Sequence, residues 1–198
     1  MAKKTVVLCE GVHDLLLISL ILEREERTVW AKRWDEIERC SKQTPEATMI
    51  SDFKGRRGTG VSFLIKQDKD VDFCIESFWG LYPGYSGYDL KLVTDSDGFA
   101  SVRKIRKMME DSIHRDVLLG DETLPNLFYF KGSERKPAIF LYPCEDNRKV
   151  GKLTDLVRDA GCGDLAGCRD EDRRKEMLVE YLDSKPAWIE DLKRFLLE

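Results

Sequence analysis

Apolar and polar positions break this chain into short alternating runs. Thr5 to Cys9 is uninterrupted and β-branched, the pattern of a strand buried on both faces, and Leu15, Leu16, Ile18, Leu20, Ile21 and Leu22 follow as a helix that packs on it. Gly11 marks the turn between them. Trp30 to Arg39 then reads as a helix, Ala47 to Phe53 as a strand after Pro45, and Val61 to Ile65 as an apolar patch. Val71 to Glu76 reads as a strand, and Phe78 to Tyr88 as an aromatic-rich loop by its glycines and proline. Leu90 to Thr94 predicts a strand, and Ala100 to Ile113 a helix with Val102, Ile105, Met108 and Met109 on one face. Leu127 to Phe130 and Ala138 to Tyr142 read as two more strands. The spacing predicts helices over Lys152 to Ala160, Glu171 to Leu182 and Ala187 to Leu197, broken at Gly161-Cys162-Gly163 and Ser184-Lys185-Pro186.

Strands alternating with helices predict an α/β fold, a mainly parallel Rossmann-like sheet flanked by helices. The expected organisation is one α/β domain over residues 1–168, with a helical C-terminal extension over 169–198 packed on it. In such sheets the carboxyl ends of the strands line the ligand crevice.

Composition narrows the classes. The 198 residues and 22.9 kDa suffice for one substantial core. The apolar stretch Leu15 to Leu22 is too short to span a bilayer and runs into Glu23, Arg24, Glu25, Glu26 and Arg27. Glu10 and Asp14 interrupt what would be the core of a signal peptide, so the expected location is cytoplasmic, without a membrane partner. The six cysteines form no C-x-x-C pair, which fits structural thiols in a reducing compartment. A formal net charge of -4 excludes a whole-molecule electrostatic footprint for nucleic acid. Local basic surface remains at Lys54, Arg56 and Arg57, within a glycine-rich loop, and at Arg103, Lys104, Arg106 and Lys107. The loop could cradle phosphate, though its spacing is not that of a P-loop and a plain connection explains it equally.

Two acidic clusters change the picture most. Glu10-Gly11-Val12-His13-Asp14 follows the first strand, and Asp95-Ser96-Asp97-Gly98 follows the strand ending at Thr94. Carboxylates at the ends of core strands call for a compensating charge, most simply a divalent cation. Asp95 and Asp97, two apart, point to one side of an extended segment and suit Mg²⁺ or Mn²⁺, with Glu10 as a further ligand or general base. Asp14 falls in the first helical turn, where the helix dipole favours a carboxylate, so it reads equally as a metal ligand and as a structural group.

Glu10-Gly11-x-x-Asp14 after one strand and Asp95-x-Asp97 after a later one resemble the TOPRIM domain, the metal-binding α/β module of topoisomerases, primases and OLD-family nucleases. The likeness covers roughly the first two-thirds of the chain and extends to small stand-alone TOPRIM-like proteins. Their later segments match Ile139-Phe140-Leu141-Tyr142-Pro143 and Gly151-Lys152-Leu153-Thr154-Asp155, with Thr154 where such relatives often carry Glu. The resemblance implies phosphoryl transfer on nucleic acid, with Glu10 as acid/base or ligand and Asp95 and Asp97 holding the metal. Rival readings are a TOPRIM-fold module that binds nucleic acid or protein without turnover, and, on the D-x-D-G motif alone, a haloacid-dehalogenase-like phosphatase. The phosphatase motif usually follows the first strand and continues with Thr, whereas Phe99 stands here. The tail from Glu171 to Glu198 reads as a helical layer over the sheet edge or as the surface of a homodimer.

Overall fold

The computed structural model describes residues 4–33, 35–36, 53, 61–82, 88–95, 107, 117–120, 127–131, 136–143 and 151–198. The protein is α/β, with seven strands in mostly parallel mixed pairing and five helices among the described residues. It divides into two compact units, Met1–Leu92 and Val93–Glu198.

In the first unit, β1 (Lys4–Cys9) pairs in parallel with β3 (Val61–Gln67), which pairs in parallel with β2 (Thr28–Arg33) on its other side. Thr5 to Cys9 are all buried, as a parallel strand covered on both faces requires. The register sets Cys9 opposite Gln67, so β1 and β3 end at the same level. β2 meets β3 with an irregularity between Thr28 and Val29. Helix α1 (Val12–Arg24) packs on β2 and β3, burying Leu15 to Ile18, Ile21 and Leu22. It closes on Glu26 at φ 56, with the Arg27 N–H donating to the Leu22 carbonyl at 2.9 Å.

Two expected elements change type here. Trp30 to Arg39 begins as strand β2, not helix, because Val29 to Arg33 take β3 residues as ladder partners. Val71 to Glu76 is not a strand but the start of α2 (Val71–Leu81), which packs against β1. Asp70 caps that helix, its Oδ1 accepting from the N–H groups of Asp72 at 3.0 Å and Phe73 at 3.1 Å. Its buried residues Cys74, Ile75, Phe78 and Leu81 recur at helical spacing. The expected aromatic loop therefore begins as helix, and it ends in β4 (Tyr88–Thr94), whose Tyr88 is buried and donates its hydroxyl to the Leu81 carbonyl at 2.9 Å.

The second unit is an antiparallel set. β5 (Leu118–Gly120) pairs with β6 (Leu127–Phe130), and β6 pairs with β7 (Lys136–Leu141). Among its described residues are three helices, α3 (Leu153–Asp159), α4 (Glu171–Asp183) and α5 (Ala187–Leu197). The apolar face of α5 meets β7 through Phe195, whose ring centroid lies 5.6 Å from that of Phe140. Trp188 stands edge-on to Tyr142 at 5.5 Å and donates its indole N–H to the Tyr181 hydroxyl at 2.9 Å. That partner lets a tryptophan lie within the packing without leaving its N–H unmet. Gly163, at φ 121, approaches the Met177 sulfur so closely that a Cβ there would sit 3.0 Å away. The strand expected over Ala47 to Phe53, the glycine-rich loop and the helix expected over Ala100 to Ile113 lie outside the described residues, apart from Phe53 and Lys107.

Candidate functional site

The carboxyl end of β1 is built by its neighbour β3. The Asp68 N–H donates to the Cys9 carbonyl at 2.8 Å, extending the ladder one residue beyond Gln67. Gln67 reaches one residue further still, its Nε2 donating to the Glu10 carbonyl at 3.1 Å. Glu10 itself is half-buried at the turn into α1. Gly11 is the N-cap residue, and its N–H donates to Asp14 Oδ2 at 2.7 Å. A Cβ on Gly11 would stand 3.2 Å from that same oxygen, so glycine leaves room for the carboxylate to fold back. Asp14, 5% exposed, thus serves as the acidic half of a capping box and adds a favourable charge at the helix N-terminus.

Beneath this turn lies a pair that the hydrophobic pattern did not reveal. Lys66 and Asp68, 3% and 4% exposed, form an ion pair, and Lys66 Nζ also donates to Ser77 Oγ on α2 at 2.9 Å. The buried thiols register the surrounding charge. Burial pushes Cys9 well above its ordinary 9.0, and Asp14 adds to the rise. Burial does the same to Cys74, helped by Asp68, Glu10 and Asp14, while Lys66 opposes the shift at both. A lysine and an aspartate two apart at the end of an apolar run were the only local sign of this cluster.

The carboxyl end of β4 belongs to the second unit and is simpler. Thr94 accepts from the Tyr142 N–H at 3.1 Å, and half-exposed Asp95 accepts through Oδ1 from the Leu153 N–H at 3.4 Å. That contact joins the acidic strand end to the Gly151–Asp155 segment singled out in the sequence. Asp155 is engaged by Arg158, 2.7 Å from its Oδ1. Asp97, Lys54, Arg56 and Arg57 lie outside the described residues. The aromatics Trp79 and Tyr82 pack on each other with ring centroids 6.1 Å apart.

No family model, curated protein or solved structure matches this chain. The donors themselves must therefore be weighed. Among the described residues no group of three or more His, Cys, Asp or Glu side chains is arranged to hold a metal. Glu10 and Asp95 are each a hard oxygen donor that retains solvent contact. Asp14 is buried and committed to Gly11 through one oxygen. No helix among the described residues is long and apolar enough to cross a membrane.

Proposed function

We propose that this chain is a Mg²⁺- or Mn²⁺-dependent phosphoryl-transfer protein of nuclease type, acting on nucleic acid through Glu10, Asp95 and Asp97 in the manner of a TOPRIM domain. The observation that carries the reading is the turn after β1. Glu10 sets a carboxylate directly after the buried run Thr5 to Cys9, at the carboxyl end of a parallel strand, while Gly11 and Asp14 form the start of α1. In this reading Glu10 would hold the cation together with Asp95 and Asp97, three hard oxygen donors of the kind a Mg²⁺-type ion takes. A bound divalent ion would supply charge stabilisation at phosphate oxygens and a water of lowered pKa. Lys54, Arg56 and Arg57 would contact the nucleic-acid backbone.

A second reading, a non-catalytic module that binds nucleic acid or protein, is favoured by Thr154 in place of Glu and by the Asp155–Arg158 ion pair. Titration of Mg²⁺ and Mn²⁺ into the wild type and into Asp95→Asn/Asp97→Asn tests the site, and equal binding by the two proteins overturns it. Cleavage of single-stranded, nicked and duplex substrates with Mn²⁺ tests the chemistry. Metal binding without cleavage of any of them gives the second reading the advantage.

A further inference from the structure

The Glu10–Gly11 peptide is held at both of its polar groups by side chains. Its carbonyl accepts from Gln67 Nε2 at 3.1 Å, and its N–H donates to Asp14 Oδ2 at 2.7 Å. Both side chains are buried, at 8% and 5% exposure, so neither bond competes freely with water. We propose that Gln67 and Asp14 form a clamp on this peptide that positions Glu10, with the Lys66–Asp68 pair anchoring the clamp to α2. The inference rests on the reading that Glu10 is a ligand of the metal.

The clamp explains features that stability alone does not require. The peptide is fixed from two elements, β3 and α1. The backbone on either side is set as well, because Asp68 N–H holds the Cys9 carbonyl at 2.8 Å and the Gly11 carbonyl accepts the Leu15 N–H at 3.1 Å. A buried ion pair such as Lys66–Asp68 stabilises a fold no better than an apolar pair of similar volume, so its role here is orientation. Asp68 pairs with Lys66 through its side chain and with β1 through its backbone, and Lys66 extends the connection to Ser77 on α2. A carboxylate held this way loses little freedom when it meets a ligand.

The test uses Gln67→Met, which keeps the length of the side chain and removes its N–H donor, together with Asp14→Ala and Asp14→Asn. Mn²⁺ affinity per folded molecule is read by titration and folding by thermal unfolding, with Glu10→Gln as the reference. The clamp predicts that Gln67→Met and Asp14→Ala weaken Mn²⁺ binding about three- to tenfold, the factor that one hydrogen bond of ordinary strength supplies. Asp14→Asn, which keeps an acceptor for Gly11, stays near wild type. Lower melting temperatures with unchanged affinity overturn the clamp, and so does an equal loss in Asp14→Asn and Asp14→Ala. If Glu10→Gln binds Mn²⁺ as the wild type does, the functional reading fails and the clamp with it. If Glu10→Gln loses binding while Gln67→Met and Asp14→Ala keep it, the clamp alone fails. Should Gln67→Met not fold, the two Asp14 variants decide the matter on their own.

Discussion

The strand ends that carry the two acidic clusters are built in opposite ways. After β1, buried side chains meet several of the polar groups: Asp14 on Gly11, Gln67 on Glu10, Lys66 on Asp68 and Ser77. After β4, half-exposed Asp95 accepts a long hydrogen bond, 3.4 Å, from the first residue of a seven-residue helix. The first end has fixed geometry and a desolvated charge cluster, whereas the second remains close to water. Substitutions should therefore cost more folding stability at the first end than at the second.

The sharpest way to break this contrast is Lys66→Met. Removing the ammonium leaves Asp68 buried without its ion-pair partner, which costs about 3–5 kcal/mol of stability. Lys66→Met combined with Asp68→Leu should recover much of that loss, because an apolar pair of similar volume replaces both charges. Urea unfolding of the single and double variants checks both statements. A loss below about 1 kcal/mol in the single variant would show that the strand end is far better hydrated than its 3% and 4% exposures imply.

The thiols sharpen the contrast through pH. Burial raises Cys9 and Cys74 above their ordinary 9.0 in the folded protein. Below that value folded and unfolded chains both hold the proton, and the thiols' contribution to stability is fully present. As pH rises past it, the unfolded chain releases protons that the folded one keeps, so stability falls by on the order of 1 kcal/mol per pH unit for each thiol until the folded group titrates. Urea midpoints between pH 7 and pH 10 should therefore fall less steeply in Cys74→Ala than in the wild type. Alkylation followed by peptide mass mapping should modify half-exposed Cys168 in the native state while sparing Cys9 and Cys74.

These two tests concern groups that were hard to see in the sequence, and the reason is physical. β1, β6, α4 and α5 follow from apolar runs and helical spacing, because their neighbours along the chain decide what they bury. β2 was read as helix because its charged positions suit a helix face, and only pairing with β3 makes Thr28 to Arg33 extended. In α2 the alternating Val71, Phe73 and Ile75 imitate a strand, while Asp70 as a cap and the 74, 75, 78, 81 spacing were the better signal. β5, only three residues long, lacks a pattern of its own. The acidic strand ends were legible as interrupted apolar runs. Lys66 and Gln67 were not, since a polar residue at the end of an apolar run implies exposure, and their burial depends on partners brought in from α2 and from the exit of β1.

The smallest effects come from comparing Asp14 with Asp95 directly. Asp14→Ala removes a buried, charge-assisted bond of 2.7 Å together with a favourable charge at the start of the thirteen-residue helix α1, and should cost about 1 kcal/mol. Asp95→Ala removes a half-exposed contact of 3.4 Å, beyond the usual N–H···O range, and should change stability by no more than about 0.5 kcal/mol. Solvent screens the charge at Asp95, and the Leu153 N–H can turn to water in its place. Denaturant unfolding of both variants under one set of conditions resolves a difference of this size. Equal costs would mean that Asp95 holds the start of α3 as firmly as Asp14 holds α1. It would then be a structural cap of α3 and not a ligand-binding group.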